Sequence, residues 1–249
     1  MAKPKLQELT VSIWDRLSKA IQTGDKAGAL SLVKELQSSN AKMRDFHTGC
    51  IDVMLTTIAD NLGEDRVYDI WRIIEDRHNV PTVEVNIPEM EPADRIVRRI
   101  WLWSMLHGVG IDVREDDQKY IITTPCDTGR HIRMIPDHGR TKEAHPWSHG
   151  ETGFCYYCGH CTISWEIMSA EKYGYPAWVS NPPKKVGQPC VQYLYKDAKY
   201  VPDAYMKTIG VKKKSAIKKP AAKHAVATKA PAKKYVASKP AARKASAKK

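Results

Sequence analysis

The positive charge of this 249-residue chain is gathered at one end, which confines the part that can fold around a core. Residues 211–249 hold 13 Lys and one Arg with no Asp or Glu, whereas residues 1–210 hold 26 basic and 28 acidic residues. The formal net charge of +12 is thus the property of a cationic tail on a nearly neutral body. The tail interleaves Ala, Lys and Pro, with short phrases that recur: Lys219-Pro220-Ala221-Ala222, Ala230-Pro231-Ala232-Lys233-Lys234 and Lys239-Pro240-Ala241-Ala242. Its prolines interrupt any helix, and its apolar side chains are too small and too few to offset the entropy of ordering. The tail is expected to be disordered on its own, and residues 1–210 must supply the core.

Fourteen cations recur through the tail: Lys212, Lys213, Lys214, Lys218, Lys219, Lys223, Lys229, Lys233, Lys234, Lys239, Arg243, Lys244, Lys248 and Lys249. That spacing suits successive neutralisation of phosphates without reading bases. The segment resembles the Lys/Ala/Pro-rich tails of histone H1 and of bacterial histone H1-like proteins. The resemblance is compositional and covers these 39 residues alone, and it implies nonspecific association with DNA or RNA. Nothing in the tail forms the amphipathic face that a membrane surface would need.

The body is long enough for one domain or two modest ones. Met1-Ala2-Lys3-Pro4 is not followed by the apolar run of a signal peptide, and no stretch approaches the roughly 20 apolar residues of a membrane span. The expected location is cytoplasmic, with nucleoid association through the tail. There, the six Cys would be reduced thiols or metal ligands instead of disulfides.

Apolar spacing of three and four residues predicts helices through the first hundred positions. Leu6, Leu9, Ile13, Leu17 and Ile21 mark the first, which ends at Thr23-Gly24-Asp25. Ala29, Leu30, Val33 and Leu36 mark a second, closed near Ser38-Ser39-Asn40; a third runs from about Lys42 to Leu62. A fourth opens at Glu64-Asp65 and stops before Pro81, and a fifth spans Ile96 to Leu106 after an acidic connector over 82–92. Short links between them predict an antiparallel helical bundle over 1–110. From Ile111 the pattern changes. Ile111-Asp112-Val113 and Tyr120-Ile121-Ile122 flank Asp116-Asp117 as a hairpin, and a loop-rich stretch runs to about Phe154. A short helix near Ile163–Lys172, strands at Trp178-Val179 and Val191–Tyr195, and a last helix from Pro202 complete the reading. The fold class expected is α+β: helical bundle (1–110), small metal-binding α+β half (111–210), basic tail (211–249).

Cys155-Tyr156-Tyr157-Cys158-Gly159-His160-Cys161 carries the strongest chemical signal. Cys-x-x-Cys-Gly matches a knuckle turn in which two thiolates bind one metal ion, the Gly letting the backbone aim N–H groups at sulfur. A closed tetrahedral site needs two more ligands, for which Cys161, His160, Cys126 and Cys190 are available. The preferred set is Cys126, Cys158, Cys161 and Cys190, or the same set with Cys155 replacing one member. Zinc is the favoured ion for such ligands. The bacterial ferredoxin pattern fails, because Trp165-Glu166 stands where Cys-Pro would follow. The βαβ setting of a thioredoxin-like redox pair is missing as well.

Other residues could make such a centre catalytic. His145 and His149 lie in a short polar segment, and Arg130 follows Cys126 closely. Arg44 and His47 share a face of the third predicted helix with apolar neighbours. In a metal-dependent hydrolase, lyase or small-molecule sensor, Arg44, His47 and Arg130 would orient an anionic substrate while His145 or His149 moved protons. As ordinary residues, the His would be solvated and the Arg-His pair would sit on a helix edge capped by Asp45 or Asp52. Seven Trp and eleven Tyr against two Phe suit a pocket or an interface, although Trp101 and Trp103 cannot face one core. No Gly-rich phosphate loop, Ser nucleophile elbow or His-Glu-x-x-His helix is present. The leading expectation is therefore a zinc-stabilised protein tethered to nucleic acid by its tail, with the enzyme or sensor reading as the alternative.

Overall fold

Ser12 opens the first helix, α1 (Ile13–Gln22), by accepting a hydrogen bond from the Asp15 N–H at 3.1 Å. The computed structural model describes residues 11–79, 90–106 and 110–212. Leu6, Leu9, the connector up to 89, Gly108 and the tail from Lys213 onwards lie outside the described residues. Asp25 then caps α2 (Lys26–Leu62) by accepting from the Gly28 N–H at 2.9 Å. This helix runs 37 residues without the break expected at Ser38-Ser39-Asn40. Those three residues are exposed, and none is Gly or Pro. Ser and Asn inside a helix cost only about 0.5 kcal/mol each, too little to end it while apolar spacing continues on both sides. Gly63, at φ +93°, ends α2 where a side chain would be strained, and α3 (Glu64–Ile74) begins directly after it. The chain continues as a π-helical turn over Glu75–Asn79, and α4 spans Pro92–Leu106.

The hairpin falls where alternation predicts it. Strands β1 (Asp112–Glu115) and β2 (Lys119–Thr124) join through Asp116, whose carboxylate accepts from the Gln118 and Lys119 N–H groups, each at 2.8 Å. The stretch expected to be loop-rich instead contains a helix, α5 (Asp127–Met134). Its eight residues, with Gly129 among them, give too short a periodic signal to stand out. The helix expected near Ile163–Lys172 forms as a π-helix over Cys161–Met168 followed by α6 (Ser169–Tyr173). Strands β3 (Val179–Asn181) and β4 (Cys190–Tyr195) and helix α7 (Asp203–Thr208) close the body. The sheet is antiparallel throughout in the order β1-β2-β4-β3, with Thr124 opposite Cys190.

The body is therefore α+β, with seven described α-helices and one four-stranded sheet. Its main core crosses position 110: Leu55, Val67 and Trp71 pack with Ile132, Trp147, Tyr156, Ile163 and Met206. The Trp71 indole N–H donates to the Tyr156 carbonyl at 3.0 Å, so even the polar tip of that anchor is satisfied inside the core. Helix α2 packs against α1 and α3, whereas α4 sends Leu102 against Trp165 and Trp178 and sends Trp103 against Cys126 and Cys190. Trp101, two positions from Trp103, is exposed. No helix among the described residues is long and apolar enough to cross a membrane.

Candidate metal centre

Three stretches of chain carry the clustered thiols. Cys126 precedes α5 in the left-handed region (φ 47°, ψ 71°), a conformation that costs a non-glycine residue about 1 kcal/mol or more. Cys155 and Cys158 bound a single 3-10 turn in which the Cys158 N–H donates to the Cys155 carbonyl at 3.0 Å. Cys161 begins the π-helix, a geometry that recurs at functional sites. Cys190 begins β4, and its pairing with Thr124 holds it beside the end of β2, two residues before Cys126.

The thiols face one another closely enough to govern each other's ionisation. Burial pushes the Cys126 thiol up to about 11, with Cys161 and Cys158 adding to the rise. Burial likewise raises Cys161 and Cys190, and Cys190 also feels Cys126, Cys161 and Cys158. Cys158 moves the other way, because Cys155 hydrogen-bonds to its sulfur and the Arg133 guanidinium lies beside it. Gly129 permits this approach. A β-carbon there would stand 3.2 Å from Cys126 Sγ, 3.3 Å from Cys158 Sγ and 3.0 Å from Arg133 Nη1. The two sulfurs are therefore separated by no more than those two sulfur distances combined. Cys50, on α2, is exposed and apart.

Arg133 is the residue that sequence reading missed. Its Nη1 donates to Cys158 Sγ at 3.2 Å, while its Nε and Nη2 are buried without a hydrogen-bond partner. No carboxylate among the described residues pairs with it, and the groups that favour its charge are the sulfurs of Cys158, Cys126 and Cys155, of which Cys158 alone is shifted toward the thiolate. A second buried guanidinium, Arg99, favours the thiolate of Cys161. Positive charge beside these thiols favours their ionised form against the burial that opposes it, and at Cys158 the balance falls to the thiolate side. Among the described residues, no three or more His, Cys, Asp or Glu side chains are grouped as they stand so as to hold a metal ion. The thiols are gathered, but more loosely than a closed coordination shell. Arg133 could have been found only by recognising α5, which places it on the same short helix as Gly129.

The expected catalytic residues are distributed differently. The His145 Nε2–H donates to Glu64 at 2.6 Å, and its ring stacks 5.1 Å from Trp147. Glu64 also accepts from the Tyr156 hydroxyl at 2.6 Å and the Lys142 and Glu143 N–H groups at 2.6 and 3.2 Å. Burial works against ionisation of Glu64, but these donors together hold its carboxyl below the usual range. The His149 Nε2–H donates at 2.8 Å to Glu166, a wholly buried carboxylate that also accepts from the Ser180 N–H at 2.6 Å and from the Tyr205 hydroxyl. Burial lowers the His149 pKa, yet the Glu166 charge and hydrogen bond outweigh it and leave a net rise. Arg44 pairs with Asp127 at the start of α5 (3.2 Å) and with Asp45 (3.4 Å). His47 and Arg130 are exposed.

A cavity of about 250 Å³ reaches Cys155 and Cys158. Arg133 and Arg140 line it, whereas Arg44, His47, Arg130, His145 and His149 do not. Fold and site together define an α+β protein with a buried thiol cluster held against an arginine. Comparison with known protein families, with curated proteins and with solved structures gives no match.

Proposed function

We propose that Cys126, Cys158, Cys161 and Cys190 bind a metal ion in the second half of the body, and that the basic tail tethers this metal-stabilised protein to nucleic acid. Zinc suits four thiolates, and its arrival would replace thiol protons and draw the sulfurs to about 2.3 Å from the ion. Cys155, hydrogen-bonded to Cys158, is the alternate ligand. The single observation that supports the reading is the Arg133 guanidinium, which donates to the Cys158 sulfur and keeps two further nitrogens buried without a partner. The tail's part rests on its composition, and a cytoplasmic, nucleoid-associated role follows from it. One exposed tail residue, Lys212, is described.

The test is metal content and free-thiol count on the full chain, followed by cobalt substitution. One zinc per chain and a tetrathiolate cobalt spectrum are expected. Iron with acid-labile sulfide would replace the ion by a cluster on the same ligands, and six free thiols with no metal would reject the centre. Nucleic-acid affinity should fall with salt by a log–log slope of about 0.9 per phosphate neutralised, and deleting 211–249 should abolish it.

One observation favours a second reading, a metal-dependent hydrolase or lyase or a small-molecule sensor: the cavity that reaches two of the clustered thiols.

A further inference from the structure

The cavity beside Cys155 and Cys158 has an unbalanced charge. Arg133, Arg140, Lys184 and Lys185 contribute to its lining, against the Glu151 carboxylate and the Cys158 sulfur that accepts from Arg133. Glu151 is already used, since Lys184 pairs with it. Arg140 has no carboxylate partner among the described residues, and neither does Lys185. Instead, the Arg140 Nε–H donates to His138 Nε2 at 3.1 Å. That orientation is set from behind, because His138 Nδ1–H donates to the Ile135 carbonyl at 2.6 Å and leaves Nε2 as the acceptor. A buried His thus holds one edge of an exposed guanidinium and leaves its two terminal amino groups for another acceptor.

We infer that this cavity binds a small oxyanion, the phosphate or carboxylate group of a small molecule, through Arg140 and Lys185 with Lys184 at the rim. A planar guanidinium fork fixed along one edge suits bidentate capture of such a group, and the ammonium groups add charge without demanding geometry. A volume of about 250 Å³ exceeds the bare anion and falls short of a drug-sized ligand. The anion would rest against the face of the cluster that presents Cys155 and Cys158. The inference does not require the metal, so the two readings can fail separately.

The test is thermal unfolding of the full chain in inorganic phosphate or malonate, with ionic strength held constant by KCl and metal content measured on the same samples. Ligand held by the folded body raises the melting temperature. A saturable rise of roughly 5–10 °C is expected at a hundredfold excess over the dissociation constant. Arg140→Gln combined with Lys185→Gln should remove it, whereas Lys207→Gln, on α7, should retain it. Both substituted side chains are exposed, and circular dichroism confirms that the double variant is folded. A response to phosphate alone identifies a phosphate ligand, and a response to malonate alone a carboxylate. No rise beyond KCl, an equal rise in the double variant, or a rise with oligonucleotide alone would overturn the inference.

Discussion

Arg133 Nη1 donates to Cys158 Sγ across 3.2 Å, tying the far end of α5 to the Cys-x-x-Cys turn. Because two further nitrogens of this guanidinium are buried without partners, the residue is costly to the fold unless negative charge collects beside it. Arg133→Gln should therefore weaken metal binding about 10–100-fold, the usual loss when a group supporting the ligands is removed, with Arg133→Lys recovering part of it. Competition against a chromophoric chelator measures the change. Equal affinity in all three proteins would separate Arg133 from the centre.

Gly129→Ala tests the crowding from the opposite side. In an open helix, Ala would stabilise by roughly 1 kcal/mol over Gly. Here its β-carbon would press on Cys126 Sγ, Cys158 Sγ and Arg133 together. The expected outcome is a loss of about 1 kcal/mol in urea unfolding, together with weaker metal retention. A net gain would show that the sulfurs have room to move aside.

Glu64 gathers four donors from the second half of the body onto the first residue of α3. Glu64→Gln should cost about 2 kcal/mol at pH 7. Since the folded carboxyl titrates below its ordinary value near 4.3, this stabilisation is complete above that value and is lost as pH falls through the folded value. Melting curves of wild type and variant should accordingly converge once pH falls below the folded value. A difference that stays constant from pH 7 down through that value would mean that the carboxylate charge contributes nothing.

His149 gives the reverse dependence. Its folded pKa is raised, so its pairing with Glu166 contributes in full below about 6.5 and fades as pH rises through the folded value. His149→Gln leaves a buried carboxylate short of a cation and should cost about 3 kcal/mol at pH 6. The gap should narrow by pH 9, where neutral His can still donate. Urea midpoints at the two pH values decide the matter, and a gap that widens with pH would contradict the assignment.

What the sequence showed clearly was wherever a local signal was long. The helical spacing of Ile13, Leu17 and Ile21 located α1, and the apolar run Tyr120-Ile121-Ile122 after Asp116-Asp117 located β2. The stop at Ser38-Ser39-Asn40 misled because polarity alone does not end a helix. Helix α5 was missed because eight residues complete barely two turns, and with it went Arg133. The clustering of Cys126 and Cys190 with the Cys-x-x-Cys turn followed from residue type, but its cause, the Thr124–Cys190 register, is a long-range pairing. The partners of His145 and His149 lie 81 and 17 positions away, beyond any local pattern.

The pairing of β4 with β2 also sets an order of events during synthesis. Sixty-four positions separate Cys126 from Cys190, so translation at about 5–20 residues per second delivers the last thiol roughly 3–13 s after the first. Until β4 emerges, β2 has an open edge on that side, and Cys126, Cys155, Cys158 and Cys161 wait without their fifth companion. Nascent chains are thus most open to thiol oxidation during this interval, before the pairing of β2 with β4 brings Cys190 beside the end of β2.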